Sequence, residues 1–246
     1  MDRLIYTAAS GAKHILEQQA TTSNNLANVN TTGFRAQLDV FRAVPVQSEG
    51  LPTRAFVVNS TAAADFTPGA LQVTGRDLDV AIKGEGWLAV QMPDGTEAYT
   101  RNGALQTSQN GLLTTANGAT IAGEGGPITI PPDATVTVGG DGTISTISTT
   151  DQPAASNILG RLKLVNPPAG DMVRGDDGLF RLRDGGTAQP DAAVRVAGGA
   201  LEGSNVSAVD SMVSMISLAR SFETQMSLLK NAENNAAKAT QILALN

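Results

Sequence analysis

The stretch Ser23-Asn-Asn-Leu-Ala-Asn-Val-Asn-Thr-Thr-Gly-Phe34 ends a helix and launches an extended chain. Asn and Thr side chains hydrogen-bond to nearby backbone groups and so compete with the helical ladder. Four Asn, at 24, 25, 28 and 30, make the stop a firm one. Gly33 supplies the freedom for a positive φ, and Phe34 can then pack back on what precedes it. Alone, this would be an Asn-rich C-cap and a loop. It decides the fold because helical period stops here and returns only at the far end of the chain.

Before the stretch, residues 2–28 read as one helix. Leu4, Ala8, Gly11, Ile15, Gln18, Thr22 and Leu26 recur in steps of three and four, the seam of a coiled-coil-like helix. Ile5, Ala12 and Leu16 add a second stripe, which implies two neighbours. At the other end no Gly or Pro interrupts the chain from Ser204 onward. Val209, Met212, Ile216, Ala219, Phe222, Met226 and Leu229 again step by three and four, with Asn205 or Ser207 as candidate N-cap. Nearly forty residues can run as one helix on the order of 55–60 Å long. A helix of that length needs other helices to cover it.

Between the ends the pattern changes. Residues 34–76 lose helical period and carry Pro45, Pro52 and Pro68, which reads as an extended connecting segment. Residues 77–201 are β-rich. Leu78-Asp-Val-Ala-Ile82 alternates with period two, and Asn-Gly or Asp-Gly pairs occur at 94, 102, 110, 117, 141, 177 and 184. Such pairs favour the positive-φ turns whose twist suits antiparallel hairpins. Strands are expected at 97–101, 112–115, 128–130, 135–138, 161–165 and 179–182. The fold class is therefore mixed α+β: residues 1–33 and 202–246 form a discontinuous domain of paired helices, and an antiparallel β-rich body lies between them.

Composition narrows the function. The 246 residues carry a net charge of −6, with no basic cluster of the kind a nucleic-acid surface needs. No cysteine is present, which removes disulfides, thiolate nucleophiles and Cys-based metal sites. No run approaches the roughly 20 apolar residues of a membrane span, so no membrane insertion is expected. Met1-Asp-Arg-Leu-Ile-Tyr-Thr7 leads into no apolar core of a secretory leader, so no cleaved signal peptide is expected. The sole histidine, His14, sits mid-helix and is expected to face solvent, which leaves no Ser-His-Asp arrangement. Asp94, Asp141, Asp177 and Asp184 all precede Gly and are explained as turn formers. No catalytic residue, cofactor or metal site is expected.

Terminal helices with apolar seams, flanking a β-body, suit a subunit that pairs its own ends and then pairs with its neighbours. Contacts between unlike surfaces build open helical assemblies rather than closed dimers. The competing reading is an enzyme or glycan-binding β-domain with helical oligomerisation arms. It should show an aromatic-rich or acid-rich cleft, and the body offers only Trp87, Tyr99 and scattered Phe.

Three stretches point further. Asn24-Asn-Leu-Ala-Asn-Val-Asn-Thr-Thr-Gly-Phe-Arg35 resembles the signature of bacterial flagellar rod and hook axial proteins. Leu201-Glu-Gly-Ser-Asn-Val-Ser-Ala-Val-Asp-Ser-Met-Val-Ser-Met-Ile216, with Arg220-Ser-Phe-Glu223, is similar to that family's C-terminal motif. Gly84-Glu-Gly-Trp-Leu-Ala-Val90, with Tyr99-Thr-Arg-Asn-Gly103, is similar to its β-domain motif. Met1–Ala12 and Asp176–Leu182 are most like the proximal-rod branch, with the distal-rod branch as the alternative. The resemblance implies a structural subunit of the flagellar basal body, in the rod that crosses the periplasm. It would be exported through the flagellum's own type III apparatus and would assemble with copies of itself and other rod proteins to transmit torque. The assembly surface expected on this basis is Leu4, Ala8, Ile15, Asn24, Asn25, Leu26, Asn28, Gly33, Phe34, Val209, Met212, Ile216, Phe222, Met226 and Leu229.

Overall fold

A computed structural model describes residues 2–45, 55–132, 134–148 and 156–243. The fold is mixed α+β, in two compact units. One unit comprises Met1–Asn28, Ala36–Asp65 and Val206–Asn246; the other comprises Val29–Arg35 and Phe66–Asn205.

The first unit holds helices α1 (Asp2–Ala27) and α2 (Ala208–Leu243), which pack on each other. Ser207 caps α2, its Oγ accepting the Asp210 N–H at 3.3 Å, and Asp210 adds a favourable charge in the first turn. The inner face of α2 is a strict heptad seam of half-buried residues: Ser211, Met215, Leu218, Phe222, Gln225 and Leu229. Gly11 of α1 meets this seam closely, since a Cβ there would lie 3.5 Å from Gln225 Oε1.

Two long strands complete the unit, β1 (Gln37–Pro45) and β2 (Ala55–Ala64), paired antiparallel from Gln37↔Ala64 to Pro45↔Ala55 with a bulge at Val40/Phe41. Where an extended connector is expected from the prolines, much of it is therefore a hairpin packed on α1. Pro45 is tolerated at the strand end, and Pro52 lies outside the described residues. His14 does not face solvent as the sequence suggests. It packs edge-on against Phe41 at 5.6 Å, with Nδ1 2.9 Å from Glu17 Oε2.

The second unit is antiparallel throughout. Its largest sheet runs in the order 172–174, 180–182, 97–100, 87–91, 120–123, 113–115, 105–107, with 164–165 and 126–127 pairing off this path. A three-stranded sheet (134–138, 143–148, 156–161) and two short pairs (80–83 with 195–198, 71–73 with 200–202) accompany it. Val80, Leu88, Val90, Leu113, Ile121 and Leu162 form the centre of its core. Six of the seven Asn-Gly and Asp-Gly pairs place their glycine at positive φ as turn formers. Asn102-Gly103 differs: Gly103 is needed for close approach, because a Cβ would fall 1.6 Å from the Val80 carbonyl oxygen. Residues 128–130 form no strand of the main sheets, although Ile128 and Ile130 are buried as expected of an apolar run.

Candidate assembly site

The Asn-rich stretch is shared between the two units. In the helical unit, Asn28 closes α1: its N–H and its Nδ2 both donate to the Asn24 carbonyl, at 3.2 and 2.9 Å. Asn25 behaves like a strand partner, with Nδ2 donating to Gln37 O at 2.9 Å and Oδ1 accepting Gln37 N–H at 2.8 Å. Thr21 Oγ1 donates to Asp39 Oδ1 at 3.0 Å. These side chains stop the helix and seat β1 beside it in a single operation.

In the β unit, residues 29–35 are gripped by three segments far away in sequence, around Asn102, Arg174 and Glu202. Gly33 has φ +68, and its N–H donates to Glu202 O at 2.8 Å. Thr32 Oγ1 donates to Asn102 Oδ1 at 2.9 Å, and Asn205 N–H donates to Phe34 O at 3.3 Å. Phe34 is buried with the Arg174 guanidinium 4.5 Å above its ring, while Arg174 donates to Arg35 O at 2.9 Å. Burial holds the Arg174 pKa below its ordinary value.

Beneath this segment lies an ion triad that is almost wholly out of water. Glu202 Oε2 accepts from Arg101 at 2.9 Å, and Oε1 sits 2.7 Å from Arg35 Nη2 and accepts Gly69 N–H at 2.8 Å. Arg35 also donates to Thr67 O and Arg101 to Gly84 O, both at 2.6 Å. The two guanidiniums lie 5.9 and 5.5 Å from the Trp87 ring, which packs in turn on Phe66 and Phe180. Burial pushes Arg101 below its ordinary value, with Glu202 opposing the shift. Each ion is stabilised only because its partners arrive with it.

These groups tie together segments that lie far apart in sequence. No group of three or more metal-ligating side chains occurs among the described residues, and no helix there is long and apolar enough to cross a membrane.

Comparison with known proteins gives the arrangement a context. Residues 5–35 match a family model described as flagella basal body rod protein. Residues 81–146 match the flagellar hook protein FlgE/F/G D1 domain, and residues 197–242 match the flagellar basal body rod FlgEFG protein C-terminal region. The chain is 48% identical to the flagellar basal-body rod protein FlgF of Escherichia coli and 47% to that of Salmonella typhimurium, each over the full length of both chains. It is 32% identical to FlgF of Buchnera aphidicola from Schizaphis graminum, again over both full lengths.

The chain belongs to the FlgF family of flagellar basal-body rod proteins.

It is accordingly a structural subunit of the flagellar basal-body rod. Each of the three family-model matches contains one member of the ion triad: Arg35, Arg101 and Glu202. Sequence reasoning quoted these residues inside motifs without giving them a role. The available signal was clear only for Arg35, the one charged residue of its motif; Glu85 accompanies Arg101, and Asp210, Arg220 and Glu223 accompany Glu202.

The residues expected to form the assembly surface fall into three groups. Ala8, Ile15, Leu26, Phe222 and Leu229 are half-buried within the helical unit, and Leu4's side chain lies outside the described residues. Val209, Met212, Ile216 and Met226 are exposed, at 70, 51, 57 and 46%; Val209 and Ile216 lie on the side of α2 turned away from its seam, and Met212 and Met226 flank it. Asn24, Asn25, Asn28, Gly33 and Phe34 hold the chain at the end of α1 and in the clasp just described. The seam residues Ser211, Met215, Leu218 and Gln225 were not anticipated.

Proposed function

We propose that this chain is a subunit of the proximal rod and assembles through α1 and α2 with copies of itself and with other rod proteins. The single observation that carries this reading is the second apolar face of α2. Val209, Val213 and Ile216 expose more than half of their surface, on the opposite side from Met215, Leu218 and Phe222. A helix with apolar stripes on opposite sides is built to lie between two neighbours. One neighbour is α1. The other comes from the next subunit in a heterologous, open assembly. Torque then passes through packed helices with no bond made or broken. Export through the flagellar type III apparatus belongs to the same reading.

Ile216→Asp tests it. A charge at this exposed position leaves the chain's own fold intact and stops its incorporation into rods. Circular dichroism of the purified variant and motility of a strain carrying it read the two effects. Normal motility refutes the proposal.

A further inference from the structure

We infer that Glu202 is a closing latch: the β unit completes its fold only when segment 195–205 arrives, so a chain delivered N-terminus first stays open until its last strands are free. The latch lies within the β unit and is independent of the assembly reading.

Three observations carry this. The first is topology. Arg195–Gly198 pairs with Val80–Lys83, and Ala200–Glu202 pairs with Leu71–Val73, so two stretches near the start of the unit have their ladder partners at its very end. Val80 and Ile82 are core residues, and the core is unfinished without that pairing. The second is sequence distance. Glu202 reaches Arg101 across 101 residues and the Gly69 N–H across 133. The loop entropy of such contacts is lost before the contact returns anything, which places them late in folding. The third is charge. Arg35 and Arg101 are 1% and 3% exposed, and among the described residues Glu202 is the one carboxylate that pairs with both. Until it arrives, both guanidiniums must stay in water, because a buried unpaired cation is prohibitive. Keeping them hydrated holds the layer over Trp87 open.

Trp87 is the only tryptophan of the chain and lies within 6 Å of both guanidiniums, so its fluorescence reads the latch directly. The experiment is stopped-flow unfolding and refolding of the full chain, wild type against Glu202→Gln. Interrupted unfolding keeps prolyl isomerisation out of the refolding trace. A contact formed after the folding barrier shows its loss in unfolding. The expected result is unfolding faster by on the order of 100-fold, with refolding within about threefold of wild type. Should Glu202→Gln fail to fold, Glu202→Asp shortens the side chain, retains the charge, and is measured in the same way. A φ-value below about 0.5 supports the latch; a larger one places the triad early and overturns it. Unchanged stability in both variants also overturns it.

Discussion

Replacing Gly33 with alanine tests the clasp at its tightest point. Two separate penalties follow from the geometry. At φ +68 an alanine sits in the left-handed region, which costs about 1–2 kcal/mol for a residue with a Cβ. In addition, the new Cβ falls 2.4 Å from both Arg101 C and Asn102 N and 2.6 Å from Arg101 O. These are backbone atoms and cannot swing aside as a side chain would. Relieving the overlap displaces the Gly33 N–H from Glu202 O and adds roughly 1–3 kcal/mol in the manner of an overpacked core. Gly118→Ala is the control: its φ is +84, and nothing lies within 4 Å of its would-be Cβ, so only the first penalty applies. Urea unfolding followed by Trp87 fluorescence should show Gly33→Ala losing about 2–5 kcal/mol and Gly118→Ala about 1–2 kcal/mol, with unchanged m-values. Losses equal within about 0.5 kcal/mol would refute the close approach on which the clasp depends.

Other predictions follow from the same geometry. Tyr99 is fully buried, and its hydroxyl donates to Glu97 at 2.8 Å and accepts the Ala188 N–H at 2.6 Å; burial pushes its pKa well above the ordinary 10. A group raised in the folded state contributes full stability below its unfolded pKa and loses it as pH climbs, so stability should decline above about pH 10. Tyr99→Phe should cost roughly 1–3 kcal/mol at neutral pH, for the orphaned Ala188 N–H, and should flatten that alkaline decline. An equal decline in both proteins would exclude Tyr99 as its source. On α2, Phe222→Ala should destabilise the helix pair by about 1–3 kcal/mol in a thermal melt followed by circular dichroism, since Phe222 is half-buried rather than fully buried. Val213→Ser, at a residue 62% exposed, should change it by less than about 0.5 kcal/mol. The reverse order would mean that the seam has been assigned to the wrong face.

How legible these features were depends on what each one rests on. Helix existence was plain, because residues 2–28 carry period with a single Gly and no Pro, and residues 204–243 carry period with neither. The phase of α2 was not. Counting from Val209 follows the exposed stripe through Met212 and Ile216. Two successive steps of three, Ile216 to Ala219 to Phe222, then carry the count round to the inner face. The true seam is disguised by Ser211 and Gln225, polar residues at positions where a heptad wants apolar ones. Turn glycines announced themselves through Asn and Asp partners. Asn102-Gly103 carries the same signature for a different reason, close packing, which no local pattern encodes. The ion triad was hidden by a sound default, since charged residues are almost never fully buried unless paired, and the pairing partners lie more than a hundred residues apart.

Why a triad of ions closes this unit, when apolar side chains of equal volume can be as stabilising, is answered by the strands it locks. Leu71–Val73 and Ala200–Glu202 pair over three residues only. Along the first, all three side chains are exposed, with Val73 at 88%. A short strand with no buried face does little to fix register, and across the pair only the small Ala200 is a buried apolar side chain. Glu202 supplies what the pattern lacks. Its two oxygens reach Arg101, Arg35 and the Gly69 N–H, three groups from three parts of the chain. A two-residue slip of Ala200–Glu202 would keep the same face inward yet move the carboxylate by about 7 Å, out of reach of all three. An apolar trio would tolerate that slip at little cost; the ion triad does not. The register it fixes sets where Gly203 to Asn205 leave the sheet, and three residues later α2 begins at Ala208. The same carboxylate holds Arg35, eight residues beyond the end of α1 at Ala27. One buried charge therefore fixes the register of the closing strand and the place of Arg35 within the β unit, with a precision that an apolar contact could not supply.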